Sequence, residues 1–198
     1  MKTSLHTIVR AASLTLLIGA LPTLAYAHPG HAGGLAYGLA HPFGGLDHLA
    51  AMVAVGLWAS QLGGRAAWLV PLSFVAAMAL GGLLGVAAVA LPFVETGILL
   101  SLLVLGAAIA LGFRPAAGSG ALLVAGFALF HGHAHGTGMA ANLAGLAYGL
   151  GFAGATILLQ GGGLGAVWLL QRRQAERLTR LAGLAIAAGG VYLALGGS

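Results

Sequence analysis

Val94-Glu-Thr-Gly-Ile-Leu-Leu-Ser-Leu-Leu-Val-Leu-Gly-Ala-Ala-Ile-Ala-Leu-Gly112 carries one charged residue, Glu95, near its start and none after it. A helix needs about 20 consecutive apolar residues to cross the hydrocarbon core of a bilayer, and this run supplies that length. Working outward, similar runs recur on both sides. Across the 198 residues the hydrophobic fraction is 60%, the charged fraction 6% and the mean hydropathy +1.01. About a quarter of a soluble domain is charged. A chain this apolar lacks a polar skin to face water, so the predicted solvent is lipid. The predicted class is all-α, a polytopic membrane helical bundle.

The apolar runs and their interruptions predict six spans: about Leu46 to Leu62, Ala66 to Leu91, Val94 to Gly112, Gly120 to His135, Asn142 to Leu170, and Leu181 to Leu195. The fifth is long enough to tilt or to break at Gly161-Gly162-Gly163. Basic residues test the map, because Lys and Arg collect in cytoplasmic loops. Arg65 follows the first span, Arg114 the third, and Arg172, Arg173, Arg177 and Arg180 the fifth. With the chain starting outside, all of these fall on one face. Adding or removing a span would scatter them. The net charge of +5 is therefore read as topology and not as nucleic-acid affinity, for which no hydrophilic segment is long enough.

The N-terminus has the layout of a secretory signal. Lys2 and Arg10 form a charged start, Ala11 to Leu21 an apolar run, Pro22 a break, and Ala25-Tyr26-Ala27 a small-residue cleavage pattern. Residues 1–27 are expected to be removed, leaving 28–198 as one membrane domain that begins with His28 on the periplasmic side of the bacterial inner membrane. Cysteine is absent, which excludes disulfides and thiolate metal sites. The 35 glycines include the pairs Gly81 with Gly85, Gly145 with Gly149 and Gly161 with Gly165, whose spacing lets helix backbones approach. Leu-Ala-Tyr-Gly-Leu occurs at Leu35 to Leu39 and again at Leu146 to Leu150, a coincidence expected of such composition or the trace of a repeat.

Ionisable residues within a membrane are expensive, so each is a functional candidate. On the predicted topology they gather at the outer face. His28 and His31 precede the first span, where the free amine and imidazoles could form a loose capture site or belong to a solvated tail. His41, Asp47 and His48 stand at its entrance, with Pro42 and Gly44-Gly45 predicting a turn that folds His41 back. Glu95 opens the third span, and His131, His133 and His135 close the fourth. On a helix, His131 and His135 share a face while His133 points elsewhere. Asp47 could ligate a metal, orient a ligating ring by accepting its second N–H, or cap the helix. Imidazole with carboxylate and no thiolate suits Ni, Co, Zn or Cu(II) and argues against Cu(I). Met52, Met78 and Met139 are read as packing.

At these residues the chain resembles the HupE/UreJ family of nickel permeases. The resemblance rests on His41-x5-Asp47-His48, on Phe130-His131-Gly132-x-Ala134-His135-Gly136, and on Glu95-Thr96-Gly97-Ile98. It implies uptake of nickel or cobalt for hydrogenase or urease assembly, with His41, Asp47, His48, His131 and His135 as metal or transport residues, and Glu95 beside them. One departure is Gly138, where the family usually has Glu. The ion is expected as substrate, with no permanently bound cofactor. The only Lys lies in the signal, so no nucleotide-binding Gly-Lys-Ser/Thr loop exists and no nucleotide is expected as a driver. The competing readings are a membrane-embedded His-metal hydrolase and a metal-binding accessory or sensor subunit. The first lacks an H-E-x-x-H pair.

Overall fold

A computed structural model describes residues 34–169 and 172–196; side chains between 170 and 175 are outside it. The signal segment, His28 and His31 therefore lie outside the described residues. Within them the chain is all-helical. Helix α1 is Gly34–Ala40, followed by a 3-10 turn at His41–Phe43; α2 is Leu46–Leu62, α3 Ala66–Val86, α4 Val94–Leu111, α5 Ala117–Gly136, α6 Leu143–Leu169 and α7 Arg172–Ala194.

Helices α3, α4 and α6 are long and apolar enough to cross a membrane, and α1 with α2, bent by 83°, would form a fourth span if counted as one. The remaining helices dilute their apolar runs. Three histidines end α5, and α7 opens on a charged stretch held by the Glu176–Arg180 pair at 3.0 Å, so it begins nine residues before the expected Leu181. Leu72, Leu83, Leu122, Leu158 and Trp168 are more than half exposed on the outside of the bundle. Such a surface belongs in lipid, and the molecule is a membrane protein.

Helix α2 occupies the centre. Ala51, Met52 and the unbroken run from Ala54 to Ala59 are buried, which covers every face of the helix as burial on all sides requires. Gly45 in extended conformation starts α2 and Gly63 at φ 69° ends it, so its sequence bounds and its observed bounds coincide. Helix α3 stops at Val86 instead of reaching Leu91. Ala88 turns left-handed at φ 54° and the Val89 N–H donates to the Leu84 carbonyl, closing the helix end.

Small residues set the helix pairs. The α3–α5 contact is the most extensive in the fold. A Cβ at Gly132 would collide with the Met78 carbonyl, and one at Gly81 with the Leu129 carbonyl. Gly85 sits in the same interface, so the Gly81/Gly85 pair does bring backbones together. The other two pairs do not join helices. Gly145 abuts the Ala140 carbonyl of its own preceding turn, and Gly161 and Gly165 face open space. The two Leu-Ala-Tyr-Gly-Leu pentamers meet: Gly38 of α1 lies on the Tyr148 carbonyl of α6, and Gly151 lies on the Leu35 carbonyl. Helix α6 runs unbroken through Gly161-Gly162-Gly163.

The ends of the bundle differ. The close of α2, the Arg114 segment after α4, Val167 of α6 and Glu176 of α7 surround one cleft. Arg65 follows directly on α2, so the arginines share this end. The starts of α2, α4 and α6 and the close of α5 form the opposite, histidine end.

Candidate metal site

Four histidine rings from three elements form a continuous chain at the histidine end. His41 of the 3-10 turn lies 4.8 Å, centroid to centroid, from His135 of α5. His135 lies 4.3 Å from His48 of α2, and His48 lies 5.1 Å from His131 of α5. Exposure falls along the chain: His41 is exposed, His135 and His48 are half-buried, and His131 is fully buried. His41 thus joins the group through His135, with Tyr148 and Phe152 against its ring at 5.5 and 6.0 Å.

The hydrogen bonds fix which nitrogens keep a lone pair. His48 Nδ1 is 2.8 Å from Asp47 Oδ1, so Nδ1 carries the proton and donates, leaving Nε2 as acceptor. The same Asp47 oxygen accepts the His48 backbone N–H at 2.8 Å. Asp47 therefore orients a ring and satisfies an N-terminal donor of α2 together. His131 Nε2 is 2.9 Å from Ser101 Oγ, while the Ser101 hydroxyl donates to the Ile98 carbonyl at 2.6 Å. With its one proton spent there, Ser101 accepts from His131 Nε2–H. The lone pair of His131 is then on Nδ1.

His48 Nε2, His131 Nδ1 and His135 Nε2 are all buried without a hydrogen-bond partner. Buried polar atoms are nearly always paired, and inside a membrane no water compensates. Three such nitrogens on rings in mutual contact are the chemical signature of this end. The rings meet edge to face, and among the described residues no three His, Asp or Glu side chains stand as a group able to hold an ion. Shared coordination requires ring rotation from this arrangement.

The other candidates are placed apart. His133 points away from the cluster, its Nε2–H donating to the Val89 carbonyl at 2.8 Å, with Nδ1 buried and unpartnered. That carbonyl belongs to the turn strained at Ala88 and Phe93, non-glycine residues at φ 54° and 59°. Glu95 is exposed at the start of α4, and among the described residues no ion pair or hydrogen bond links it to the rings. The rest of its motif does reach the site. Gly97 leaves space for the Phe130 ring, and Ile98 supplies the carbonyl that holds Ser101. Ser101 itself went unread in the sequence: one serine in an apolar run gives no signal until His131 is seen opposite. Phe74 of α3 also lines the cluster, 5.8 Å from His131.

The fold and the site define a helical membrane protein with hydrogen-bonded imidazoles gathered at one end. The family model described as HupE / UreJ protein matches residues 15–193, and the chain belongs to that family. It is 45% identical over 183 residues to Protein HupE of Rhizobium leguminosarum bv. viciae, covering 92% of this chain and 96% of that protein. No solved structure matches.

Proposed function

We propose that this protein is a permease that moves Ni2+, or Co2+, from the periplasm to the cytoplasm to supply hydrogenase or urease maturation. In this reading the chain spans the inner membrane six times after removal of its signal, with the mature N-terminus and the histidine end periplasmic. Family membership supports the class of activity. The observation that carries the site is the trio of buried, unpartnered nitrogens on His48, His131 and His135.

The exposure gradient suggests an order of events. An ion meets His41 at the mouth, passes to His135 and His48, and reaches His131 as imidazoles replace its water. Asp47 and Ser101 hold two of the rings with lone pairs directed away from their own hydrogen bonds, as second partners of metal-ligating histidines do. The ion then moves between helices toward the arginine end. A divalent ion descending the membrane potential gains about 4.6 kcal/mol per 100 mV, twice the single-charge value, which suffices for inward facilitated diffusion without nucleotide.

Uptake of radiolabelled nickel by proteoliposomes under an inside-negative potential tests this reading. Wild type should accumulate nickel, and His48→Ala and His131→Ala should each lose at least about 100-fold in rate, beyond the cost of an orienting partner alone. Nickel binding without flux in wild type would replace the permease with an accessory or sensor subunit. Hydrolytic activity without flux would replace it with an enzyme.

A further inference from the structure

We infer that a second ion-holding level lies within the bundle, formed by the thioethers of Met52 and Met78, the Thr156 hydroxyl and the Gln160 side-chain amide. It rests on the permease reading above and extends it inward from the histidines.

Three helices supply the two thioethers and the hydroxyl at one depth. Met52 is one turn beyond His48 on α2, and Thr156 is one turn beyond Phe152 on α6, whose ring touches His135 at 4.2 Å. Met78 stands on α3, its backbone against Gly132 beside His131. All three are buried, Met52 and Thr156 completely. Met52 and Met78 look unrelated in sequence, yet both sulfurs face one hydroxyl: Thr156 Oγ1 is 3.5 Å from Met52 Sδ and 3.7 Å from Met78 Sδ.

That hydroxyl has one proton and three acceptors around it. The Phe152 carbonyl, at 2.9 Å, is the nearest. With the proton donated there, an oxygen and two sulfurs face each other through lone pairs alone. Donation to either sulfur instead leaves the other without a proton. Such an electron-rich pocket is cation-seeking. Both separations are short enough for the hydroxyl and each thioether to approach one ion together.

A second, independent observation stands one turn deeper. Gln160 is 2% exposed, and neither its amide oxygen nor its amide nitrogen has a hydrogen-bond partner. Leaving a buried amide unpaired is costly, and in a bundle with lipid around it the cost has no offset from water. Its i, i+4 relation to Thr156 places both on one face of α6. Beyond it, Val167 of the same helix lines the cleft at the arginine end, about 10 Å further along at 1.5 Å per residue, together with Ser60, Gln61, Arg114 and Glu176. Gln61 brings one more buried, unpartnered amide oxygen to that cleft. The donors thus step from imidazole through thioether and hydroxyl to amide oxygen along α2 and α6. Neutral donors that bind less tightly than the histidines suit an ion that must leave again. The hydroxyl and amide oxygens set this level apart from an all-thioether site, which would favour Cu(I), and the sulfurs set it apart from an Mg2+ or Ca2+ site, which would need oxygen throughout.

The test uses Thr156→Val and Gln160→Leu, which remove the polar atoms at little change in volume and add no other donor. Both are measured as full-length protein for nickel binding in detergent and for nickel uptake in proteoliposomes. The expected result is nickel affinity within about two-fold of wild type, with uptake down about 10-fold or more. Gln160→Glu, which restores a donor oxygen, should give uptake above that of Gln160→Leu. Uptake within two-fold of wild type in both Thr156→Val and Gln160→Leu would overturn the inference while leaving the permease reading intact. Absence of uptake in wild type would overturn the permease reading itself, and the inference with it. Should either variant fail to fold, Met52→Leu with Met78→Leu decides in its place: unchanged uptake refutes the level, and a loss at constant nickel affinity supports it.

Discussion

The arginine end and the histidine end are built from the same helices and handle buried polarity differently. At the arginine end the long polar side chains are tied to the backbone. Trp58 Nε1–H donates to the Phe113 carbonyl at 3.1 Å, and Gln61 Nε2–H donates to the Ile109 carbonyl at 3.1 Å. Arg180 pairs with Glu176 on the surface. These bonds close off the ends of α2 and α4. At the histidine end each bonded nitrogen of His48, His131 and His133 leaves its ring partner unpaired in a buried site. Apart from the Gln61 amide oxygen, which is buried without a partner, one end spends its polar groups on holding the fold. The other holds its rings still while keeping their lone pairs open, which is costly for stability and useful for ligation.

Three substitutions sharpen that contrast. The largest effect is expected for Asp47→Asn, which weakens the hold on His48 Nδ1–H while conserving shape. Nickel affinity should fall by about 10- to 100-fold, as for other second partners of ligating histidines, with little change in thermal unfolding. A loss of folding with normal affinity in the folded fraction would make Asp47 a helix cap alone. Next, Ser101→Ala removes the acceptor for His131 Nε2–H. Affinity should fall by about 10-fold, and Ser101→Thr, which restores the hydroxyl, should recover it. Failure of threonine to rescue would reduce Ser101 to packing. The smallest functional effect belongs to the arginine end. Trp58→Phe removes one hydrogen bond, worth about 1 kcal/mol of stability, and should leave nickel affinity unchanged. Altered affinity there would break the division between the two ends.

The elements legible in sequence are those whose limits are set locally. Helix α2 starts and stops at glycines in conformations that interrupt a helix, and α4 and α6 announce themselves by length and hydropathy. Helix α1 was hidden in what read as a tail and a turn. Its seven residues are too few to persist alone, and they are held by the close approach of Gly38 and Gly151 to α6. Periodicity correctly separated His133 from His131 and His135, because all three stay on regular helix. It could not distinguish Glu95, which shares the histidine end but faces outward, from residues that turn inward. Nor could it see Met52 and Met78 as neighbours, since only the packing of α2, α3 and α6 brings them to Thr156. Gly138, where the family usually has Glu, lies just past α5, and among the described residues no other carboxylate than Asp47 touches the rings.

Backbone-to-backbone glycine contacts divide the molecule into three stiff plates: α3 with α5, α4 with α7, and α1 and α2 with α6. Contacts between plates run instead through side chains. His41 and His48 ride on the third plate, His131 and His135 on the first, and Ser101 on the second. A tilt of one plate by a few degrees would therefore alter the spacing of the imidazoles without unmaking any plate.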